Sequence, residues 1–303
     1  AEFGLYAKED IKAGGKVIVK ADEQLCTAVT GEDGTAIFEQ NLPFGSYYIK
    51  ELQAPDGFVS SDEIIEVTVS YQGQDVEVVR LKEIFKNQPT TVEFRKSDLT
   101  TGVELDGATL TVLDKDGNEI DKWTSVKGEP HIIKRLHVGE TYILREEFAP
   151  YGYLKAEEVE FTITDTAEIQ KVEMKDDVPI GRIIINKKGE FLSEVSWNDM
   201  VAGAMDSIWG YVTGSLKDVT FEIYAREDIK AADGESDDYY KKDELVATIK
   251  TDELGIARTD DLPLGKYYVV EKETADGFVL DGEPRDIDLT YRDQDTPVVT
   301  FDS

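Results

Sequence analysis

The sequence predicts an all-β protein made of tandem β-sandwiches, three in a row, with one short helical insertion in the third. Three observations lead there. One long motif recurs along the 303 residues. The segments between Gly, Asp and Asn turns are short and alternate apolar with polar residues. A single stretch breaks that alternation with apolar residues at three- and four-residue spacing.

The repeat comes first, because a fixed period decides the architecture. FGLYAKEDIKA at Phe3 to Ala13 returns as FEIYAREDIKA at Phe221 to Ala231, and LPFGSYYIKE from Leu42 returns as LPLGKYYVVE from Leu262. DGFV at Asp56 returns at Asp276, and YQGQD at Tyr71 returns as YRDQD at Tyr291. Between these copies, ATLTVLDKDG from Ala108, GETYILRE from Gly139 and APYGYL from Ala149 keep the same order and spacing. Three domains follow: 1–88, 89–178 and 179–303, with boundaries at Pro89 and Pro179, where a proline without an N–H ends one strand before the next. Within each domain, runs such as Thr109 to Leu113, Glu160 to Ile163 and Tyr267 to Val270 read as short strands. Two such sheets packed face to face fit an immunoglobulin-like or transthyretin-like sandwich.

The exception lies between Lys187 and Val219. Trp197, Val201, Met205, Ile208 and Val212 recur at helical spacing, which predicts an amphipathic helix over about 190–213. Such a helix either packs on its own sandwich or presents an aromatic docking patch around Trp197 and Trp209.

Composition narrows the function. Sixty-four acidic against 33 basic residues leave a formal charge of -31, which repels nucleic acid and anionic membranes. No apolar run reaches the roughly 20 residues of a membrane span, and the opening AEFGLYAKED lacks the layout of a signal peptide, so the chain reads as a segment. Cys26 is the single cysteine, and with only His131 and His137 beside it no zinc cluster or disulfide is expected. No cofactor is expected, and no phosphate-binding loop, nucleophile elbow or His-Glu-x-x-His motif points to an enzyme. DKDGNE at Asp114 reads as a β-turn rather than a calcium loop, and DGESDD at Asp233 as a solvated loop.

One signature remains. GSYYIKELQAPDGF (Gly45 to Phe58), ETYILREEFAPYGY (Glu140 to Tyr153) and GKYYVVEKETADGF (Gly265 to Phe278) share a Tyr-x-apolar-x-Glu strand followed by a Gly-aromatic turn. The middle copy has Glu140 for the leading Gly, and the third has Thr274 and Ala275 where the others have Ala-Pro. Over its whole length the chain resembles the collagen-binding-protein B-type, or prealbumin-like, repeats of Gram-positive pilins and adhesins, SpaA-type pilins among them.

That resemblance implies a self-made isopeptide bond between a first-strand Lys and a last-strand Asn or Asp, promoted by the signature Glu. The chemistry is sensible: burial favours a neutral, nucleophilic amine and a protonated carboxyl that polarises the acceptor carbonyl. In the middle domain it implies Lys96, Glu146 and an aspartate. Strand phase with Val172 and Met174 selects Asp176, whereas counting back from Pro179, as Asn87 stands before Pro89, selects Asp177; phase is preferred. The first domain offers Glu51 and Asn87, with the Lys strand expected upstream of residue 1. The third offers Lys187 and Glu271, with the acceptor expected a few residues beyond Ser303. The implied role is a non-enzymatic stalk or pilus-like segment of a cell-wall-anchored, extracellular adhesin whose partners are the neighbouring domains of the same protein. The alternative is a module that recognises a host or surface protein through the third-domain insertion.

Overall fold

In the computed structural model, which describes residues 1–76, 78–197 and 207–303, the described residues contain strands and turns and no helix. The first domain holds β1 (Glu2–Ala7), β2 (Ile11–Ala13), β3 (Lys16–Val19), β4 (Gln24–Val29), β5 (Gly45–Gln53) and β6 (Ile64–Val69). Its sheet runs β4-β1-β5-β6, and β2 pairs with β3 as a hairpin. Leu5, Ala7, Ile11, Tyr47 and Val67 form its small buried core.

The second domain comprises β7 (Thr91–Asp98), β8 (Thr109–Leu113), β9 (Glu119–Thr124), β10 (His131–Lys134), β11 (Thr141–Phe148), β12 (Val159–Thr162) and β13 (Gln170–Asp176). Two sheets, β10-β7-β13 and β12-β11-β8-β9, enclose the core. Because side chains alternate along a strand, β7 sends Val92, Phe94 and Lys96 inward, β11 sends Tyr142, Leu144 and Glu146, and β13 sends Val172, Met174 and Asp176. First and last strands lie side by side and parallel, with Lys96 opposite Met174 and Asp98 opposite Asp176.

The third domain repeats this plan with β14 (Ile180–Asn186), β15 (Lys188–Trp197), β16 (Ser207–Ser215), β17 (Thr220–Ala225), β18 (Leu245–Lys250), β19 (Ile256–Arg258), β20 (Leu262–Pro263), β21 (Gly265–Glu273), β22 (Arg285–Leu289) and β23 (Val298–Asp302). Its sheets are β18-β17-β21-β22 and β19-β14-β20, with β23 parallel to β14. The four-stranded sheet of the first domain matches β9-β8-β11-β12 and β18-β17-β21-β22; among its described residues no strand takes the place of β7 or β14.

The helical insertion expected over 190–213 is corrected. β15 and β16 form a long antiparallel hairpin, with Phe191 opposite Val212, Leu192 opposite Tyr211 and Val195 opposite Trp209. These aromatic and branched residues favour strands, and their cross-strand pairing outweighs a five-residue helical spacing. Val201 and Met205, the centre of that spacing, lie outside the described residues.

Candidate functional site

The repeated signature has a structural origin in each part. The Tyr ring fills the core, and its hydroxyl turns back on the preceding chain: Tyr47 donates to the Pro43 carbonyl at 2.7 Å and Tyr267 to the Pro263 carbonyl at 2.5 Å. In the middle domain, where Glu140 replaces Gly, the Tyr142 hydroxyl instead accepts from the His137 N–H. Gly45 and Gly265 are needed because an added Cβ would press on Ile11 at 3.3 Å and Ile229 at 3.0 Å. The Gly-aromatic turn closes identically three times, by Phe58 N–H to Pro55, Tyr153 N–H to Pro150 and Phe278 N–H to Ala275.

Two residues after the core Leu144, the same inward face carries Glu146, and here the middle domain gathers three ionisable groups inside its core. The side chains of Lys96, Glu146 and Asp176 have no solvent exposure. The Lys96 ammonium donates to Asp176 Oδ1, and Glu146 Oε1 lies 3.0 Å from Lys96 Nζ, at an angle that leaves that oxygen without a hydrogen bond. Glu146 Oε2 is fixed by the Ala156 N–H at 2.7 Å. Asp176 Oδ2 has no hydrogen-bond partner. Buried charges normally have every lone pair satisfied, whereas here Glu146 Oε1 has only the Lys96 ammonium beside it and Asp176 Oδ2 has no hydrogen-bond partner. Burial pushes the Asp176 carboxyl up to about 7, against the pull of the Lys96 ammonium and with the help of the adjacent Glu146. A carboxyl that is protonated near neutrality beside an amine is the arrangement that amide formation requires.

Asp177 sits outside this cluster, its side chain accepting from the Val178 N–H. One backbone bond explains the ambiguity left by counting. Val59 N–H donates to Gln88 O in the first domain and Leu154 N–H donates to Asp177 O in the second, each from the residue after the turn aromatic. Gln88 therefore corresponds to Asp177 and Asn87 to Asp176, and the count from proline slips by one residue at this linker.

The first domain keeps the acceptor half of the arrangement. Asn87 Nδ2 donates to both Glu51 oxygens, at 2.9 and 2.8 Å, and faces the Val59 carbonyl at 3.2 Å. Ser61 N–H holds Glu51 Oε2 as Ala156 N–H holds Glu146. The third domain keeps the amine half: Lys187 Nζ donates to Glu271 Oε2 at 2.7 Å, while the buried Glu271 Oε1 has no hydrogen-bond partner. β23 reaches Asp302 opposite Ile184, three residues short of Lys187.

The remaining sequence candidates are occupied elsewhere. His131 stacks on Trp123 and meets Asp121 at 2.8 Å. The Asp114 carboxylate is spent on its own turn, accepting from Asp116, Asn118 and the Asn118 amide. Asp233 likewise accepts from Glu235 and Ser236. Sequence reasoning missed the buried Tyr153 hydroxyl, which donates to Asp98 at 2.8 Å and is held well above the usual phenol range by burial and that carboxylate. Its only signal was the aromatic that ends the signature.

A family profile described as SpaA, prealbumin-like fold domain, matches residues 1–83, 90–178 and 211–303. The chain belongs to this prealbumin-like family. As an array of such domains it is a structural protein and not an enzyme. Among solved structures, the Bacillus anthracis TIE protein is similar at 23% identity and a TM-score of 0.56, and this chain, covered completely, spans 47% of that one. BcpA, the major pilin subunit of Bacillus cereus, is similar at 16% identity over 100% of this chain and 93% of its own, with a TM-score of 0.41. The shaft pilin SpaA of Lactobacillus rhamnosus GG is 16% identical over 58% of this chain and 84% of its own, with a TM-score of 0.27. The first of these likenesses supports the prealbumin-like fold. Comparison with curated proteins finds no significant sequence match. No helix among the described residues is long and apolar enough to cross a membrane.

Proposed function

We propose that the chain is a load-bearing stalk or pilus-like segment of a Gram-positive, cell-wall-anchored surface protein, stabilised in its middle domain by an isopeptide bond between Lys96 and Asp176. The observation that supports this reading is the dry Lys96, Glu146 and Asp176 cluster joining first and last strands. The Lys96 amine attacks the Asp176 carboxyl carbon, Glu146 relays the proton, and one water leaves as the amide forms. The fold supplies the proximity. Closing a loop of 80 residues by such a link stabilises by about 4 kcal/mol on chain-entropy grounds. Intact mass tests it. The purified chain is expected one water lighter than its sequence mass, and Glu146→Gln is expected to restore that water while leaving the fold in place. A full sequence mass in the unaltered chain sinks the proposal.

A second reading keeps support from one feature. The hairpin β15-β16 exposes Leu192, Trp209, Tyr211 and Val212, an apolar surface suited to a protein partner. As a recognition element for a host or neighbouring surface protein, it would lose its partner on Trp209→Ser with no change in the mass or stability of the middle domain.

A further inference from the structure

The three side chains of the middle-domain cluster stand on three strands, and one short segment just past the Gly-aromatic turn holds the chain of all three. The Tyr153 hydroxyl donates to Asp98 at 2.8 Å, two residues after Lys96 on β7. The Leu154 N–H donates to the Asp177 carbonyl at 2.9 Å, one residue after Asp176. The Ala156 N–H holds Glu146 Oε2 at 2.7 Å. Residues 153–156 therefore form a strap across the strands that carry amine, carboxyl and glutamate. A shift of the strap moves these groups relative to one another.

The other side of the strap belongs to the third domain. Between the N–H groups of Leu154 and Ala156, that of Lys155 donates to the Gln294 carbonyl at 3.0 Å, and the Tyr153 carbonyl accepts from the Tyr291 hydroxyl at 3.0 Å. Gln294 Oε1 also accepts from the Ala149 N–H at 2.8 Å. The Tyr291 ring meets Tyr151 edge-on, with centroids 4.9 Å apart. All of these third-domain groups come from the loop after β22, the repeated YxxQD segment.

The same order recurs one domain earlier. The Val59 N–H donates to the Gln88 carbonyl at 2.9 Å and the Ser61 N–H to Glu51 Oε2 at 2.9 Å. Between them, the Ser60 N–H donates to Asp165 Oδ1 of the middle domain at 2.9 Å. Asp165 lies in the loop after β12, the counterpart of the loop after β22. At both junctions, then, two N–H groups serve the acceptor strand and the glutamate, and the one between them is held by the next domain.

From this repeated alternation we infer that the third domain is a positioning element for the middle domain's cross-link, acting on the strap through Tyr291 and Gln294. The inference rests on the Lys96–Asp176 reading above and concerns the rate of that reaction. Tyr291 and Gln294 touch none of the reacting atoms; they fix the strap, and the strap fixes the strands. Reaction inside a preassembled site falls steeply with displacement, by about a hundredfold for about 1 Å.

The test is the rate of water loss in freshly made full-length chain. Cell-free synthesis is followed by acid quenching at intervals, at a temperature where loss of water by the parent takes minutes. Intact mass then gives the fraction one water lighter. Tyr291→Phe combined with Gln294→Ala removes two hydrogen bonds from the outer side of the strap and turn. This double variant is expected to lose water about tenfold more slowly than the parent, with the same end point and the same pH midpoint of the rate, since the titrating groups are unchanged. Lys127→Ala breaks an ion pair with Glu235 across the same junction but leaves the strap alone, and is expected to keep the parent rate. Equal rates in the parent and the double variant overturn the inference. So does equal slowing by Lys127→Ala, which would assign the effect to general loosening of the junction. A parent chain that never loses water overturns the cross-link reading and this inference with it, and is told apart from the other two failures, in both of which the parent reacts.

Discussion

The middle and third domains share a fold, a signature and a buried glutamate, yet their inner sites differ in one respect that teaches what the cluster needs. In the middle domain Lys96 meets two carboxylates and none of the three side chains touches water. In the third, Lys187 meets Glu271 alone and stays 21% exposed at its side chain. In the middle cluster Asp176 is a third member, carried into the core two residues past the position opposite Lys96. Lys96 and Glu146 are sealed together with that aspartate, whereas Lys187 and Glu271 meet as a pair in which the lysine keeps some exposure.

The sharpest way to break that comparison is Lys96→Ala. It removes the proposed cross-link and leaves two carboxyls in a water-free core, so the middle domain is expected to lose about 4 kcal/mol or more in denaturant midpoint analysis. Lys187→Ala, which removes a side chain that is itself partly solvated, is expected to cost less, about 1.5 kcal/mol. Equal losses would show that the two sites are alike after all.

Acidity sharpens the contrast further. In Lys96→Ala the Asp176 carboxyl cannot react and has lost the cation that lowered it, so it keeps a raised value, at or above about 7, against 3.8 in the unfolded chain. The folded state then holds a proton that the unfolded state releases. Stability conferred by that proton is full below pH 4 and is lost as pH rises through 7, at up to about 1.4 kcal/mol per unit. Relative to the parent chain, where Asp176 bonded as proposed would not titrate, melting temperature should fall across this window. A flat difference would mean that Asp176 is ionised in the folded variant.

Smaller effects follow. Tyr153→Phe strips Asp98 of a buried donor and should cost about 1–2 kcal/mol in the middle domain, with the mass deficit retained. Asp177→Ala should stay within about 0.5 kcal/mol and also keep the deficit, while Asp176→Ala should abolish it. If the pattern were reversed, the acceptor would be the neighbour that proline counting selects.

Most of this was legible because strand alternation is strict. Val92, Phe94 and Lys96 on one strand and Val172, Met174 and Asp176 on another could be placed inward by period alone, and the recurring signature fixed the three-domain plan. The pairing of β15 with β16 was not legible, since Trp197, Ile208 and Val212 satisfy a helical spacing, and pairing between two strands is a non-local contact that no window reveals. The one-residue offset between Asn87-Gln88-Pro89 and Asp176-Asp177-Val178-Pro179 was hidden for a similar reason. The anchor is a backbone bond from Val59 or Leu154, far away in sequence.

The parallel pairing of β7 and β13 has a topological consequence. Lys96 lies near the end of the strand by which the chain enters the middle domain, and Asp176 ends the strand by which it leaves. With these two joined, residues 97–175 become a closed ring hung beside a short covalent bridge. A protease that cuts any loop within that ring opens the ring but does not divide the polypeptide. On the proposed stalk reading, the chain would remain one continuous molecule after a nick that severs an ordinary sandwich.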